Sequence, residues 1–241
     1  SVLMALPSVG LAGPEGGKVE PLKIAFGSCA HQDHELPIFY EVVKKKPSLF
    51  IFLGDCIYGD TENMGVLRAK YKQLGAKKSY QQLKKHTEVL ATWDDHDYGK
   101  NDAGKEYPMK AQSKKEFLDF FEEPKHSARR KREGVYTSYT KKVGEKTVQI
   151  ILLDVRWFRD PQVRYNPKKH GRSGAFYRLD YIPHTNKQAS ILGEKQWAWL
   201  DKELKKPADL RIIGTGSQFG ISFNGYESWA NYPHEQKRFV E

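Results

Sequence analysis

The chain has 241 residues, of which 39% are hydrophobic and 29% charged, a balance that supports one sizeable core and argues against disorder. Two cysteines are too few for a disulfide scaffold, and no apolar run approaches the roughly 20 residues of a membrane-spanning helix. The formal net charge of +10 fits a solvated lysine-rich surface as well as an anionic partner, such as nucleic acid, a membrane surface or a phosphorylated small molecule.

The first twenty residues differ in kind from the rest. Residues 1–17 are small and apolar, contain no basic residue and end in Gly. This composition predicts either the end of a secretory signal peptide or an unstructured arm. We treat residues 1–20 as an N-terminal arm or signal-peptide remnant. Residues 21–241 form one predicted domain, because no internal repeat, low-complexity tract or linker interrupts them.

Short apolar runs alternate with helical patterns along this domain. The patterns predict buried strands at 22–26, 48–55, 89–95 and 210–219, and helices at 37–46, 63–74, 79–85, 109–121 and 193–206. A β-hairpin is predicted at 134–158 with its turn at 144–145, followed by a long surface excursion at 159–190. Alternating strands and helices predict an α/β fold with helices on the faces of the sheet.

Three of the predicted strands end in polar residues. Cys29 follows the first, the second ends at Asp55 with Tyr58 three residues later, and the third ends at Asp95 beside His96. In open α/β sheets ligands bind at the carboxyl ends of the strands, where these side chains converge if the strands are neighbours. Thiolate, phenolate, carboxylate and imidazole form a donor set for a transition metal such as iron, and further carboxylates can hold a hard cation.

Each of these features also has a purely structural interpretation. A Gly-Asp pair after a strand is usually a turn, and a lone Cys at a strand end is usually a small core residue. The run 94–97 places three carboxylates beside an imidazole, which favours a cation-binding or catalytic site but also suits a helix N-terminus with Asp caps. The remaining histidines are predicted to be surface or loop residues: His31, His34, His126, His170, His184 and His234.

The order of four motifs carries a family resemblance. They are GSC at 27–29, LGDCIYGD at 53–60, ATWDDHDYGKNDAG at 91–104 and LLDVRWFRD at 152–160. Together they resemble the PhoD-like (alkaline phosphatase D) metallophosphatases of the calcineurin-like superfamily. The resemblance implies a layered α/β/β/α sandwich, hydrolysis of phosphomonoesters or phosphodiesters, and a secreted, periplasmic or cell-surface location. Iron together with calcium is the cofactor set that it implies.

The resemblance also implies roles for six residues. The metal ligands are Cys29, Asp55, Tyr58 and Asp95, and the residues at the substrate are His96 and Arg156. In this scheme Asp55 bridges the metals and Asp95 holds the second one. Water activated by the metal attacks the phosphate ester, and His96 stabilises the phosphoryl oxygens or protonates the leaving oxygen.

The sequence departs from the family pattern in two places. The β-sandwich that often precedes the catalytic domain is absent, and so is a late strand ending in SGD-x-H, which supplies an Asp and a His to the metals. Residues 239–241 fall within a helix predicted after Trp229. We therefore expect a sandwich without its C-terminal part, from either a fragment of a longer protein or a relative with a partial metal site.

Two other functions compete with phosphoester hydrolysis. The absent motif favours a non-catalytic phosphate- or anion-binding relative, and the charge and the basic run 129–132 favour a nucleic-acid-binding module. Such a run is more often a solvated loop, and no aromatic residues interleave with it as in single-strand-binding surfaces. We expect a phosphate-ester substrate and no specific nucleic-acid partner. The natural substrate and the oligomeric state stay open.

Overall fold

The computed structural model describes residues 19–171 and 179–241. Most of the predicted N-terminal arm, residues 1–18, and residues 172–178 of the predicted excursion lie outside the described residues. Within the described part of the chain, no helix combines the length and the hydrophobicity needed to cross a membrane.

The described residues form eight strands, nine α-helices and one short 3₁₀-helix. The strands are β1 (Ile24–Gly27), β2 (Leu49–Leu53), β3 (Glu88–Thr92), β4 (Thr137–Val143), β5 (Lys146–Leu152), β6 (Val163–Arg164), β7 (Tyr181–Ile182) and β8 (Leu210–Gly214). The α-helices are α1 (Ile38–Lys44), α2 (Met64–Ala76), α3 (Lys78–His86), α4 (Asp95–Tyr98), α5 (Lys110–Phe120), α6 (Ala128–Lys131), α7 (Pro167–His170), α8 (Gly193–Leu204) and α9 (Pro233–Val240). The 3₁₀-helix spans Trp229–Asn231.

The first sheet contains three parallel strands in the order β1-β2-β3. Phe26 pairs with Ile51, and Ile51 pairs with Leu90, so the strands are in step along their length. Parallel strands place their carboxyl ends at one edge of the sheet. The polar residues that follow β1, β2 and β3 are thereby brought to the same edge, as the sequence predicts.

The second sheet is mixed and contains β4, β5 and β8 in that order. The hairpin of β4 and β5 turns at Gly144, whose φ of +57° lies in the left-handed region. β5 and β8 run parallel to one another. The hydroxyl of Thr92 donates a hydrogen bond to the Leu153 carbonyl oxygen at 2.6 Å, which links the carboxyl ends of β3 and β5 and hence the two sheets.

Alternate side chains of β2 face two different hydrophobic clusters. Phe50 and Phe52 pack edge-on against Phe39 of α1, within a cluster that includes residues of α2, α3 and α5. Leu49 and Ile51 belong to a second cluster, shared with buried residues of β5. Because β2 is buried on both faces, it is a continuous apolar run, as is usual for the inner strands of α/β folds.

A third cluster buries the other face of β5. Ile151 packs with Leu153, with Trp197 and Leu200 of α8, and with Trp229. The predicted α/β class is therefore confirmed: the chain is a mixed α/β protein with one parallel and one mixed sheet. These clusters fix the two sheets and their helices, and so fix the edge at which the polar residues meet.

The predicted elements are present, but the strands end earlier than expected. The strands β2, β3 and β8 end before residues 54–55, 93–95 and 215–219, which the sequence patterns place within strands. Gly54 with φ of +95° and Asp55 with φ of +49° cannot continue β2. The expectation of a surface excursion at 159–190 is wrong in part, because Arg159 and Tyr181 are buried.

Candidate metal centre

The loops after β1 and β2 lie side by side at the sheet edge. The Ala30 backbone N–H donates to the Asp55 carbonyl oxygen at 2.8 Å. The thiol of Cys29 lies 3.5 Å from a carboxylate oxygen of Asp55. The sequence therefore predicted correctly that these two side chains meet, and the contact follows from the pairing of neighbouring parallel strands.

Asp95 and His96, the first two residues of α4, join Asp55 from just beyond β3. One potential ligand atom from each of these three side chains lies within 4.8 Å of the others. The acidic run 94–97 forms the capped helix N-terminus that the sequence allowed, and its cation-binding interpretation stays a prediction. Asp94 and Asp97 form a capping box at the start of α4, whereas Asp95 and His96 contribute to the cluster.

Tyr58 lies between two imidazole rings at the same edge. Its ring stacks on His31 with centroids 4.5 Å apart and planes inclined by 20°, and it lies 4.2 Å from the His96 ring. Its hydroxyl lies beside the Cys29 thiol. The expectation that His31 is a surface or loop histidine is therefore incomplete, because it lies on a loop but contacts a candidate metal ligand.

Asp60 was named in the sequence only as part of a motif, and the structure gives it a contact at the site. Both of its carboxylate oxygens lie 2.8 Å from Nδ1 of His96. This pairing favours a proton on Nδ1 and leaves Nε2 free for another partner. The spacing of Asp55 and Asp60 around Tyr58 in LGDCIYGD was the available hint.

Backbone strain concentrates around this cluster. Among the described residues, six non-glycine residues have positive φ, and four of them are Cys29, Asp55, Asp60 and Asp102. The Asp102 backbone N–H donates to Asp95 Oδ2 at 2.9 Å. Non-glycine residues seldom adopt this conformation, and where they do the strain often accompanies a functional site.

Asp55 has the electrostatic properties of a cation ligand. Its Oδ1 is buried and has no hydrogen-bond partner among the residues that the structure describes. Burial and, secondly, the nearby charge of Asp95 raise the pKa of Asp55 to about 6. An unpartnered buried carboxylate oxygen is costly. A cation held by Asp55 and Asp95 would give this oxygen a partner and would offset the repulsion between the two carboxylates. The donor set therefore fits a metal.

The other two members of the cluster are perturbed in ways that favour their charged forms. Burial alone would raise the pKa of Asp95, but the Arg156 guanidinium and the Asp102 N–H outweigh burial and lower it. Burial alone would lower the pKa of His96, but the carboxylates of Asp95 and Asp60 outweigh burial and raise it. The cluster thus concentrates negative charge around one imidazole.

Arg156 lies behind the cluster. A residue that contacts the substrate would have to lie at an open surface, and Arg156 does not. It is 1% exposed, and its Nε donates to Asp94 Oδ1 at 2.5 Å. Its two terminal nitrogens both bond to Glu227, and Nη2 lies 3.6 Å from Asp95. Asp94, Asp95 and Glu227 also form a second acidic grouping, but Arg156 already supplies its positive charge.

The three arginines of the basic run 129–132 are built into the fold, whereas Lys131 is exposed. Arg129 is 3% exposed and donates to the carbonyl oxygens of Val135 and Ala91. Arg130 donates to Asp119, and the Arg132 guanidinium lies over the Tyr136 ring. The observation that favoured a nucleic-acid-binding surface is therefore explained by internal hydrogen bonds and ring contacts.

Taken together, the fold and the site define an α/β protein with a candidate metal centre at the carboxyl ends of three parallel strands. The model of the PhoD-like phosphatase family matches residues 24–240, and the chain belongs to this family. The resemblance of the four motifs is thereby confirmed.

A solved structure supports the same fold. The structure described as "Structure of PhoD" matches with a TM-score of 0.64 and 19% sequence identity. The match covers 90% of this chain and 47% of that one, so the chain spans about half the length of that protein. No curated protein sequence matches the chain.

Proposed function

We propose that the protein hydrolyses phosphomonoesters, phosphodiesters or both at a metal centre between Cys29, Asp55, Tyr58 and Asp95. The observation that carries this proposal is the buried Oδ1 of Asp55, which has no hydrogen-bond partner in the described part of the chain and lies in a cluster with Asp95 and His96. Membership of the PhoD-like phosphatase family supports the reaction class.

The donor atoms support a mixed set of metals. Cys29 and Tyr58 offer a thiolate and a phenolate, which suit iron, while Asp95 offers a hard oxygen that suits calcium. Asp55 offers two oxygens and can serve both. When bound, such cations lower the pKa of water and offset the negative charge of the phosphoryl group.

His96 is the residue that we place against the substrate. With Nδ1–H donating to Asp60, its Nε2 can donate a proton to the leaving oxygen or a hydrogen bond to a phosphoryl oxygen. Asp60 holds the ring in this tautomer and stabilises its charged form. Arg156 acts indirectly, because it neutralises Asp94 and Glu227 and lies close enough to Asp95 to hold that carboxylate in position.

Two further parts of the proposal concern the fold and the location. The three hydrophobic clusters, one between the sheets and one beneath each helical layer, support a layered α/β/β/α sandwich. We also propose a location outside the cytoplasm, supported by the apolar composition of residues 1–17.

The test uses p-nitrophenyl phosphate and bis(p-nitrophenyl) phosphate with protein treated with a chelator and resupplied with iron and calcium. We expect Asp95→Asn to lower kcat at least 100-fold because a cation loses its ligand. Asp60→Asn should lower kcat about 10- to 100-fold with little loss of bound metal, because Asp60 acts through His96. The control is Asp201→Asn, at an exposed position on α8. Equal rates for Asp95→Asn and Asp201→Asn would refute the proposed site.

A further inference from the structure

A buried amide connects the Cys29 loop to the Tyr58 loop. Gln32 follows Cys29 by three residues and has no exposed surface. Its Oε1 accepts a hydrogen bond from the Tyr58 backbone N–H at 2.8 Å, and its Nε2 lies 3.4 Å from the Tyr58 carbonyl oxygen, to which it donates. One planar amide therefore contacts both backbone groups of Tyr58 and limits the movement of that residue.

The residue before Gln32 contacts the side chain of Tyr58. The His31 ring covers one face of the phenol ring with centroids 4.5 Å apart, and the His96 ring lies 4.2 Å from it. His31 is itself anchored, because its Nδ1 accepts a hydrogen bond from the Asp33 backbone N–H at 3.3 Å. Adjacent residues of one loop thus hold the backbone and the ring of Tyr58.

The position of Tyr58 also depends on α2. Nζ of Lys70 donates to the carbonyl oxygens of Tyr58 and Gly59 at 2.7 and 3.0 Å. These hydrogen bonds give both carbonyl oxygens of the turn a donor from α2. They do not involve Cys29, so the loop that carries His31 and Gln32 is what connects Tyr58 to the thiol.

We propose that Gln32 and His31 are positioning residues that hold the Tyr58 phenol against the Cys29 thiol, so that one loop sets both donors of the same metal. Cys29 has φ of +61°. The hydrogen bonds between the Gln32 amide and the Tyr58 backbone stabilise this strained loop. The inference rests on the proposed function only in taking Cys29 and Tyr58 as metal donors.

The experiment is a titration of chelator-treated protein with ferric ion, followed by visible absorption. A phenolate bound to ferric ion gives a charge-transfer band, which is assigned to Tyr58 by its loss in Tyr58→Phe, and this readout requires no turnover. Gln32→Met keeps the size of the side chain and removes the amide. We expect its affinity for ferric ion to fall about 10- to 100-fold and its band to weaken or shift.

The matched control is Gln81→Met. Gln81 is exposed, and its amide donates to the Gly75 carbonyl oxygen at 3.3 Å and not to the loop that carries His31 and Gln32. We expect this variant to keep the band and the affinity within about twofold of the original protein. Thermal unfolding of each variant without metal separates loss of the donor geometry from loss of the fold.

A second variant tests the claim if Gln32→Met does not fold. His31→Ala removes the ring from a partly exposed position and should shift the band without preventing folding. The inference is overturned if Gln32→Met or His31→Ala, correctly folded, keeps the original band and affinity, or if the original protein shows no phenolate band. Metal-dependent hydrolysis without that band would overturn this inference alone. A band lost in Gln32→Met from a protein without hydrolytic activity would overturn the proposed function alone.

Discussion

At the scale of single residues, the site depends on partners that lie far away in the chain. Arg156 is the clearest case, because its guanidinium contacts carboxylates from the loop after β3 and from residue 227. A buried charge that loses its partner is strongly destabilising. We therefore assign Arg156 to holding the site in place, in contrast to the substrate contact that the sequence implied.

Arg156→Met should destabilise the protein by about 3–5 kcal/mol, because Asp94 is left partly buried without its counter-charge and Glu227 keeps only Arg159, at 3.4 Å. The measurement is the free energy of unfolding in urea. Arg238→Met is the control, since Arg238 contacts a largely exposed Glu194 and should cost at most about 1 kcal/mol. Equal costs for the two variants would mean that Arg156 is not the central counter-ion.

The sequence predicted some of these residues and not others, for a physical reason. Cys29, Asp55 and Asp95 were predictable because each follows an apolar strand, and parallel strands bring their carboxyl ends together. Glu227 and Gln32 were not, because nothing in the local pattern shows which distant group they contact. The contact of His31 with Tyr58 was not predictable for the same reason, since Tyr58 lies on a different loop.

At the scale of secondary-structure elements, the site requires a close approach between the ends of β2 and β3. Gly54 has φ of +95°, and a Cβ at this position would lie 2.4 Å from Cβ of Asp94. Only glycine therefore permits both the backbone conformation and the contact. The strand-to-loop transition after β2 is what directs Asp55 towards Asp95.

Gly54→Ala should lower the free energy of unfolding by about 2 kcal/mol more than Gly171→Ala does. Both glycines have positive φ, but a Cβ on Gly171 meets no atom of residues 19–171 or 179–241 within 4 Å. The comparison therefore separates the clash with Asp94 from the cost of the backbone conformation. Denaturant unfolding measures both values, and a difference near zero would show that the strand ends can move apart freely.

At the scale of the whole molecule, much of the positive charge contributes to the fold. The arginines of the run 129–132 donate to backbone carbonyls and acidic side chains. Lys114 on α5 donates to the carbonyl oxygens of Arg130 and Arg132. Net charge alone therefore overstated the case for a nucleic-acid partner, since composition does not reveal which charges are internal.

Lys114 gives the stability of the protein a specific pH dependence. Burial lowers its pKa to about 8 from the ordinary 10.5, so between these values the unfolded chain binds more protons than the folded protein. Stability from this group therefore rises with pH across that interval. Measured by urea unfolding, the free energy of unfolding of the original protein should increase relative to that of Lys114→Met from pH 8 to 10.5. The exposed Lys115→Met should show no such growth, and a flat difference for Lys114→Met would contradict the argument.

The central claim is that the strand-end cluster is a hydrolytic metal centre. Its most direct test is to titrate chelator-treated protein with iron and calcium, measuring bound metal and bis(p-nitrophenyl) phosphate hydrolysis in the same samples. The account predicts that hydrolysis rises in proportion to bound metal, and that Asp55→Asn loses both. Hydrolysis that is independent of bound metal, or metal binding and hydrolysis that survive in Asp55→Asn, would contradict it.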